Sequence, residues 1–295
     1  MLARRAADQA GMQTRITAVS RFTSEDARLA LETAGVKTIS CDLLNPAAVA
    51  QLPACENVLY LAGRKFGSSG RPDLTWAMNA IAPALAAHQY RGSRIVIFST
   101  GNVYGMRDTR LGGSKETDAV APTGEYAQSC LARERIFEYY SNEHKTPCLI
   151  FRLNYAVDLR YGVLVDIARR VYSGEAIDLT VPEFNVIWQG DSNSYALRSL
   201  NLCESPPRIL NVTGREILRV RNVAEEFAKR FGRTIKFEGR YGNSALLSDA
   251  SLCFSLLCEP SVRDSMLIDW VADWILAGGE NLDKPTHFEV VDGSY

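Results

Sequence analysis

The chain has 295 residues, of which 46% are hydrophobic and 23% are charged, and its net charge is −1. This length allows one large domain or two modest ones with a proper core. The near-zero net charge argues against a nucleic-acid partner or a polybasic membrane contact. No apolar run approaches the roughly 20 residues that a membrane helix requires.

Cysteine and histidine usage indicates a cytoplasmic protein without a metal site. The seven cysteines include no Cys-x-x-Cys pair, which predicts free thiols in a reducing compartment. The three histidines are far apart, and only His144 has a cysteine close by, Cys148, so we expect no metal. The N-terminus has basic residues but no apolar stretch, so we expect no signal peptide.

Short apolar strands alternate with helices along the first half of the chain, as in β-α-β units. The predicted strands are Arg15–Ser20, Val36–Ser40, Asn57–Leu61, a run that starts at Arg94, and Pro147–Leu153. The predicted helices are Met1–Gln9, Thr23–Ala34 with Thr23 or Ser24 as N-cap, Pro46–Leu52, Asp73–Tyr90, and a long helix around Tyr126. This alternation predicts a parallel sheet with right-handed crossovers.

The alternation loosens after Leu153, which suggests a first domain over residues 1–153 and a smaller, partly interleaved part over residues 154–295. The helices predicted there are Tyr161–Ser173, Ser192–Leu202, Arg221–Phe231 before a terminating Gly232, and Ser261–Leu276. The predicted strands are Phe184–Trp188, Leu210–Val212 and Arg233–Phe237. The tail from Gly278 is polar.

The most informative stretch is the strand Ile95–Phe98 and the polar residues that follow it. Its β-branched and aromatic residues suit a central strand that is buried on both faces. The strand runs into Ser99, Thr100 and Asn102, and ligands bind at this carboxyl edge of a parallel sheet. Tyr126 falls in the first turn of the next long helix. The sequence therefore predicts that Thr100 and Tyr126 handle a proton together.

With these residues, the chain resembles the extended short-chain dehydrogenase/reductase superfamily, in its NAD-dependent epimerase/dehydratase group. The similarity covers almost the whole chain, and its motifs are specific only together. They are Asp42-Leu43, Tyr60–Gly63, Asn79, Phe98–Gly105, Tyr126, Phe151–Tyr155 and Leu210–Gly214. The resemblance implies a Rossmann-like, doubly wound parallel sheet with a smaller C-terminal α+β part that binds substrate.

The resemblance also assigns roles to residues. It implies catalysis by Thr100 and Tyr126, with Cys130 at the position of the family's catalytic lysine. The candidate residues for binding NAD or NADP are Ser20, Arg21, Asp42, Leu43, Ala62, Gly63, Arg64, Tyr126 and Asn154. The candidate substrate-binding residues are Lys65, Asn102, Tyr104, Tyr155 and Trp188. Arg21 stands where an acidic residue would bind the ribose diol of NAD, and an arginine there favours NADP.

Two departures from the family pattern bear on function. No opening strand and no Gly-x-x-Gly-x-x-Gly turn precede Arg15, although this turn normally lets the backbone approach the pyrophosphate. Either the start codon was assigned too late, which we expect, or the chain cannot bind a dinucleotide in the usual way. Cys130 replaces a lysine and offers no cation. Arg133, on the same helix face, and Lys65 are the candidates for the missing charge.

The expected function is that of a cytoplasmic NAD(P)-dependent oxidoreductase or epimerase that acts on a sugar or sugar-acid derivative by hydride transfer. Tyr126 would move the hydroxyl proton, and Thr100 would stabilise the developing oxyanion. The alternatives are a catalytically impaired dinucleotide or metabolite sensor and a structural subunit of the same fold. A homodimer is compatible with the apolar residues on the Tyr126 helix, which also suit packing on the sheet: Leu131, Ile136, Phe137, Tyr139 and Tyr140.

Overall fold

The structure, a computed structural model, describes residues 15–294; the predicted helix Met1–Gln9 lies outside them. Its strands are β1 (Thr17–Ser20), β2 (Lys37–Ser40), β3 (Asn57–Tyr60), β4 (Arg94–Thr100), β5 (Arg107–Asp108), β6 (Cys148–Leu153), β7 (Ala156–Val157), β8 (Ile177–Asp178), β9 (Glu183–Phe184), β10 (Ile187–Trp188), β11 (Arg208–Val212), β12 (Leu218–Arg219), β13 (Phe237–Glu238) and β14 (Ser244–Ala245). Its helices are α1 (Glu25–Thr33), α2 (Pro46–Ala50), α3 (Pro72–Trp76), α4 (Ala82–Gln89), α5 (Gly124–His144), α6 (Val163–Ser173), α7 (Gln189–Arg198), α8 (Val220–Phe231), α9 (Ser251–Leu256) and α10 (Asp264–Leu276).

The central sheet confirms the predicted α/β class. Its strands run parallel in the order β11-β6-β4-β3. A second parallel pair is formed by β1 and β2, and among residues 15–294 no strand joins this pair to the sheet.

Strand β4 occupies the interior of the sheet, as its sequence predicts. Ile95, Val96 and Ile97 are each at most 1% exposed. On one side Ile97 is in register with Tyr60, and on the other side with Ile150. Because β4 is hydrogen-bonded on both edges and covered on both faces, the residues at its carboxyl end have a fixed position.

The predicted helix Asp73–Tyr90 is interrupted. Helices α3 and α4 are joined by a π-helical turn over Ala77–Ile81, and Pro83 lies in the first turn of α4. Pro83 has no backbone N–H, so the normal helical bond to the carbonyl of Asn79 cannot form, and the helix widens there. The widened turn contains the buried Asn79, which contacts the candidate site.

The helix ends that were predicted from local signals are confirmed. The side chain of Ser24 accepts a hydrogen bond from the backbone N–H of Ala27 and caps α1. Gly232 ends α8 in the left-handed conformation. The predicted strand Phe184–Trp188 is instead two short strands, because β9 pairs with β12 and β10 pairs with β7. The predicted strand over Arg233–Phe237 is wrong in its bounds, since only Phe237–Glu238 pairs, with β8.

Two hydrophobic clusters hold the C-terminal part. The larger one packs α6, α8 and α10 together and includes Leu164, Phe227 and Leu267. A second one joins Val96 and Leu149 to later residues such as Tyr195. Residues from both predicted domains thus share this second cluster, and the boundary at residue 153 stays a prediction.

The polar tail after α10 is anchored by one buried aromatic residue. Phe288 is 3% exposed, belongs to the larger cluster and lies 6.2 Å from Phe184, ring centroid to ring centroid. Thr286 donates through its backbone N–H and its hydroxyl to Asp166 of α6. The composition of the tail gave no sign of this docking.

Helix α5 uses part of its apolar surface on the sheet. Phe137 is 1% exposed and packs against Tyr60 and Ile95. Tyr139 is 59% exposed, so it is available to another molecule, and the homodimer stays a prediction. No helix between residues 15 and 294 combines the length and the apolar character that a membrane span requires.

We predict that Phe288→Ala lowers the free energy of unfolding by about 3–5 kcal/mol, because it leaves a cavity in the larger cluster. Urea denaturation measures this loss. Leu282→Ala, in the same tail but 40% exposed, is the control and should change stability by less than about 0.5 kcal/mol. Equally small losses of unfolding free energy in both variants would contradict the burial of Phe288 in the larger cluster.

Candidate active site

Thr100 ends β4 and begins the polar turn Gly101–Tyr104. Its hydroxyl donates to Asn102 Oδ1 over 2.9 Å and accepts from the backbone N–H of Asn102 over 3.2 Å. These two bonds fix the direction of the hydroxyl at the carboxyl edge of the sheet. Thr100 is 7% exposed.

Tyr126 lies in the first turn of α5, as predicted, and is half-buried. Burial and the neighbouring Cys130 raise its pKa well above the ordinary value, while Arg133 and a hydrogen bond with Thr100 lower that pKa. The structure thus brings Thr100, Tyr126 and Cys130 together. At neutral pH the phenol holds its proton and can donate it.

Cys130 follows Tyr126 by one helical turn and is 0% exposed. Burial raises the pKa of its thiol, and the charge of Arg133 and a hydrogen bond with Tyr126 offset only part of that rise. A reactive thiolate requires a lowered pKa and access to solvent. Cys130 therefore acts as a buried neutral neighbour of the phenol.

Arg133 extends beneath the loop that follows β3. Its Nη1 donates to the carbonyl of Phe98 over 2.7 Å, and its Nη2 donates to Asn79 Oδ1 over 2.8 Å. A Cβ at Gly63 would lie 2.5 Å from Arg133 Nη2, so only glycine allows this close approach. Asn79 also binds both the backbone N–H and the carbonyl of Arg64, over 2.8 and 2.9 Å.

Lys65 ends the same loop and reaches the tail. Its Nζ donates to the carbonyl of Thr286 over 3.1 Å. Burial lowers the pKa of Lys65 to about 8, although the negative charge of Asp166 and the thiol of Cys130 partly oppose that shift. Lys65 is therefore a half-buried amine near the catalytic group.

The tail also covers the polar turn after β4. Val290, Val291 and Gly293 lie across from Asn102 and Thr123 and leave a space of only about 10 Å³ between them. The backbone of Gly293 lies directly against Gly124, where α5 begins.

A buried ion pair joins α5 to β6 next to the candidate site. Arg152 of β6 donates to both carboxylate oxygens of Glu134, over 3.0 and 2.6 Å, and both side chains are at most 2% exposed. Ser99 also donates to Glu134, and Arg152 donates to the hydroxyl of Tyr104 over 2.8 Å. Burial by itself lowers the pKa of Arg152, but its bonds to Glu134 and Tyr104 raise that pKa overall.

Most of the candidate cofactor residues lie at the carboxyl ends of parallel strands. Ser20 and Arg21 follow β1, Asp42 and Leu43 follow β2, and Ala62, Gly63 and Arg64 follow β3. Arg21 and Asp42 are exposed to solvent. Open α/β sheets bind their ligands along this edge. Their roles stay predictions.

Asn154 and the candidate substrate residues are more dispersed. Asn154 is buried and donates to Asn185 Oδ1 over 2.8 Å. Tyr104 is 6% exposed, and its hydroxyl donates to Asn211 over 2.8 Å. Tyr155 and Trp188 pack at the margin of the larger cluster, where Trp188 meets Trp270 edge to face. Asn102 is hydrogen-bonded to Thr100, and Tyr104 belongs to a cluster that contains Cys130 and Tyr126.

The family is decided by a match over more than half of the chain. A profile of the NAD dependent epimerase/dehydratase family matches residues 1–181. The chain belongs to this family. A search of curated protein sequences returned no significant match.

Solved structures of very different sequence share the fold. UDP-glucose 4-epimerase from Thermotoga maritima is 14% identical, with a TM-score of 0.78 over 94% of this chain and 96% of that one. UDP-glucuronic acid 4-epimerase from Bacillus cereus, solved with UDP-glucuronic acid and NAD, is 15% identical, with a TM-score of 0.75 over 94% and 95%. Pal from Bacillus thuringiensis is 16% identical, with a TM-score of 0.76 over 94% and 95%.

As a member of the epimerase/dehydratase family, the chain is unusual around Tyr126. The predicted position of the Tyr-x-x-x-Lys lysine is occupied by Cys130, and among the described residues the charges of Arg133 and Lys65 act on its thiol. Within residues 15–294, no group of three histidine, cysteine or acidic side chains forms a metal site.

Sequence reasoning missed the tail contacts and the partner of Asn154. Thr286 and Phe288 lie in a polar segment more than a hundred residues from the side chains that they contact. Nothing local marks Asn185 as a partner of Asn154.

We predict that Glu134→Gln lowers the free energy of unfolding by about 3–5 kcal/mol, because Arg152 then keeps a buried charge without a counterion. Chemical denaturation measures the loss. Glu138→Gln, the same change on the exposed side of α5, is the control and should cost less than about 1 kcal/mol. A loss below about 1 kcal/mol in Glu134→Gln would contradict the buried pair.

The lowered pKa of Lys65 predicts a specific pH dependence of stability. Between about pH 8 and the ordinary lysine value of 10.5, the unfolded chain holds a proton that the folded chain has lost. The free energy of unfolding of the wild type, relative to Lys65→Met, should therefore rise with pH across this window. Denaturation at several pH values tests it, with the exposed Lys229→Met as control. A flat or falling difference would contradict the lowered pKa.

Proposed function

We propose that this protein is a nicotinamide-dinucleotide-dependent enzyme that acts on a carbinol carbon of a sugar nucleotide, as an epimerase, dehydratase or reductase. The observation that carries the proposal is the pairing of Thr100 with Tyr126 at the carboxyl end of the central strand. A directed hydroxyl beside a buried phenol suits the transfer of a proton to or from a substrate hydroxyl.

The choice of substrate class rests on the family and on the fold. The chain belongs to the NAD dependent epimerase/dehydratase family. The neighbours from Thermotoga maritima and Bacillus cereus were solved with UDP-glucose and with UDP-glucuronic acid and NAD. A sugar nucleotide with a uridine diphosphate is therefore the first substrate to test, including one with a sugar acid.

The side chains present fit a bound dinucleotide. Arg64, in the loop after β3, has a buried Nε without a hydrogen-bond partner among the described residues. An anionic ligand satisfies such a guanidinium. In this proposal, Ser20, Arg21, Asp42 and Leu43 hold the adenosine half, and Ala62, Gly63 and Arg64 line the path towards Thr100. When bound, the dinucleotide would accept or return the hydride at the carbinol carbon.

The protein's own residues would handle the proton and the oxygen. Tyr126 donates its proton to the oxygen as the carbon is reduced, and the phenolate left behind takes the hydroxyl proton as the carbon is oxidised. Thr100 redirects its hydroxyl proton from Asn102 Oδ1 to the same oxygen and stabilises its developing charge. The burial of Thr100 limits the access of water, which strengthens these interactions.

A role in binding alone is the second candidate. It is favoured by the tail, which leaves only about 10 Å³ beside Asn102 and Thr123. A protein with this arrangement would bind a dinucleotide and sense it without turning over a sugar. Tight binding of the cofactor without conversion of any sugar nucleotide would support this alternative.

The experiment has two parts. Calorimetric titrations with NAD(H) and NADP(H) measure cofactor binding, and chromatography of UDP-glucose and UDP-glucuronic acid after incubation detects turnover. Tighter binding of NADP(H), lost in Arg21→Ala, would support the predicted role of Arg21. Absence of binding by either dinucleotide would refute the proposed function.

We predict that Tyr126→Phe lowers kcat by about 10²–10⁴-fold with little change in cofactor affinity, because the proton carrier is removed while the ring stays. Steady-state rates and the calorimetric titration measure the two effects. Tyr139→Phe, on the exposed side of the same helix, is the matched control and should keep the wild-type rate. Unchanged turnover in Tyr126→Phe would rule out the assigned proton carrier.

A further inference from the structure

Arg133 is a buried cation that no carboxylate neutralises. Its side chain is 5% exposed, and its two terminal nitrogens donate to neutral oxygens, the carbonyl of Phe98 and the amide of Asn79. None of the ion pairs among the described residues includes it. Its Nε is buried without a hydrogen-bond partner there. Burying a charge in this way is costly, so we expect it to serve an anion.

The acidic residue next to it in sequence does not serve as that anion. Glu134 points to the other side of α5, where both of its oxygens accept hydrogen bonds from Arg152. One positive charge therefore remains in the space between α5 and the loop that contains Gly63.

Helical spacing places Arg133 on the face of α5 that carries the catalytic groups. It follows Cys130 by three residues, so the two are neighbours on one face, and it follows Tyr126 by seven, which places it on the same face two turns further along. Its charge lowers the pKa of both groups against the rise that burial causes. Of the two, only Tyr126 is hydrogen-bonded to Thr100 at the reaction centre.

The other charged and titratable groups around the phenol do not replace Arg133. Thr100 faces the phenol from β4, and Cys130 faces it from α5, and both are neutral. Lys65 acts on Cys130 from the loop after β3, but its amine donates to the tail at Thr286. Within residues 15–294, Arg133 is the cation whose charge lowers the pKa of Tyr126.

We propose that Arg133 is a positioning residue that stabilises the anion of Tyr126 through its fixed, uncompensated charge. It thereby takes over, from further along α5, the electrostatic part of the role that the family's lysine would have at position 130. The inference rests on the proposed function, because it concerns the step in which the phenolate takes the proton of the substrate hydroxyl. Arg133 itself gives up no proton and touches no reacting atom.

The test measures the ionisation of residue 126 directly. Tyr126 is replaced by 3,5-difluorotyrosine, whose phenol ionises near neutral pH, and its fluorine chemical shift is followed against pH in the unliganded protein. Arg133→Gln should raise the apparent pKa by about one unit, which is a tenfold loss of the anion at a given pH. Arg133→Lys should keep most of the wild-type value.

Three further variants separate charge from structure. Cys130→Lys combined with Arg133→Gln should return the pKa towards the wild-type value, because it returns a cation to the same helix face. Asn79→Asp places a carboxylate beside Arg133 Nη2 without removing the arginine, and should raise the pKa even if Arg133→Gln does not fold. Arg135→Gln, on the exposed side of α5, should have no effect.

Equal pKa values in the wild type, Arg133→Gln and Asn79→Asp would overturn the proposal, as would a double variant whose pKa does not return towards the wild-type value. The titration requires neither dinucleotide nor sugar nucleotide. An unchanged pKa would therefore overturn the role of Arg133 but not the proposed function. Absence of turnover would refute the proposed function without affecting the measured pKa values.

Discussion

The buried pair of Glu134 and Arg152 is the interaction on which the geometry of the site depends. It joins α5 to β6 in a space from which water is excluded, and through Ser99 and Tyr104 it also reaches β4 and the turn that follows it. A charge pair of this kind contributes little net stability compared with apolar packing, but it tolerates only one arrangement of its partners. It therefore fixes the rotation and height of α5 relative to the end of β4, and so the distance between Tyr126 and Thr100.

Helix α5 carries two adjacent residues of opposite charge, Arg133 and Glu134, and among the described residues only Glu134 has an ion-pair partner. Glu134 is neutralised on the sheet side, whereas Arg133 keeps its charge on the side of Tyr126 and the loop after β3. The interrupted helix around Pro83 contributes to this arrangement, because the widened turn presents Asn79 to both Arg133 and Arg64. The loss of the family's lysine is thus accompanied by a second cation, at a position where the backbone of Gly63 leaves room for it.

The tail brings a distant part of the chain to this centre. Phe288 anchors it in the C-terminal cluster, and Thr286 connects Asp166 with Lys65. Because these contacts are few and the segment has no secondary structure of its own, the tail is less strongly held than the sheet beneath it. Val290 and Val291 lie across from Asn102, which is hydrogen-bonded to Thr100.

The sequence by itself determined the parallel sheet, the central position of β4 and the pairing of Thr100 with Tyr126, because these follow from local patterning and from motifs at fixed spacing. It left open whether Arg133 or Lys65 supplies the charge at Tyr126, and it gave no sign that Phe288 is buried. Only the tertiary structure showed that Arg133 is buried with neutral oxygens as its hydrogen-bond partners, and that Phe288 belongs to the larger cluster. Each depends on distances between residues that are far apart in the chain, and on burial, which sets the strength of a charge and the cost of leaving it uncompensated.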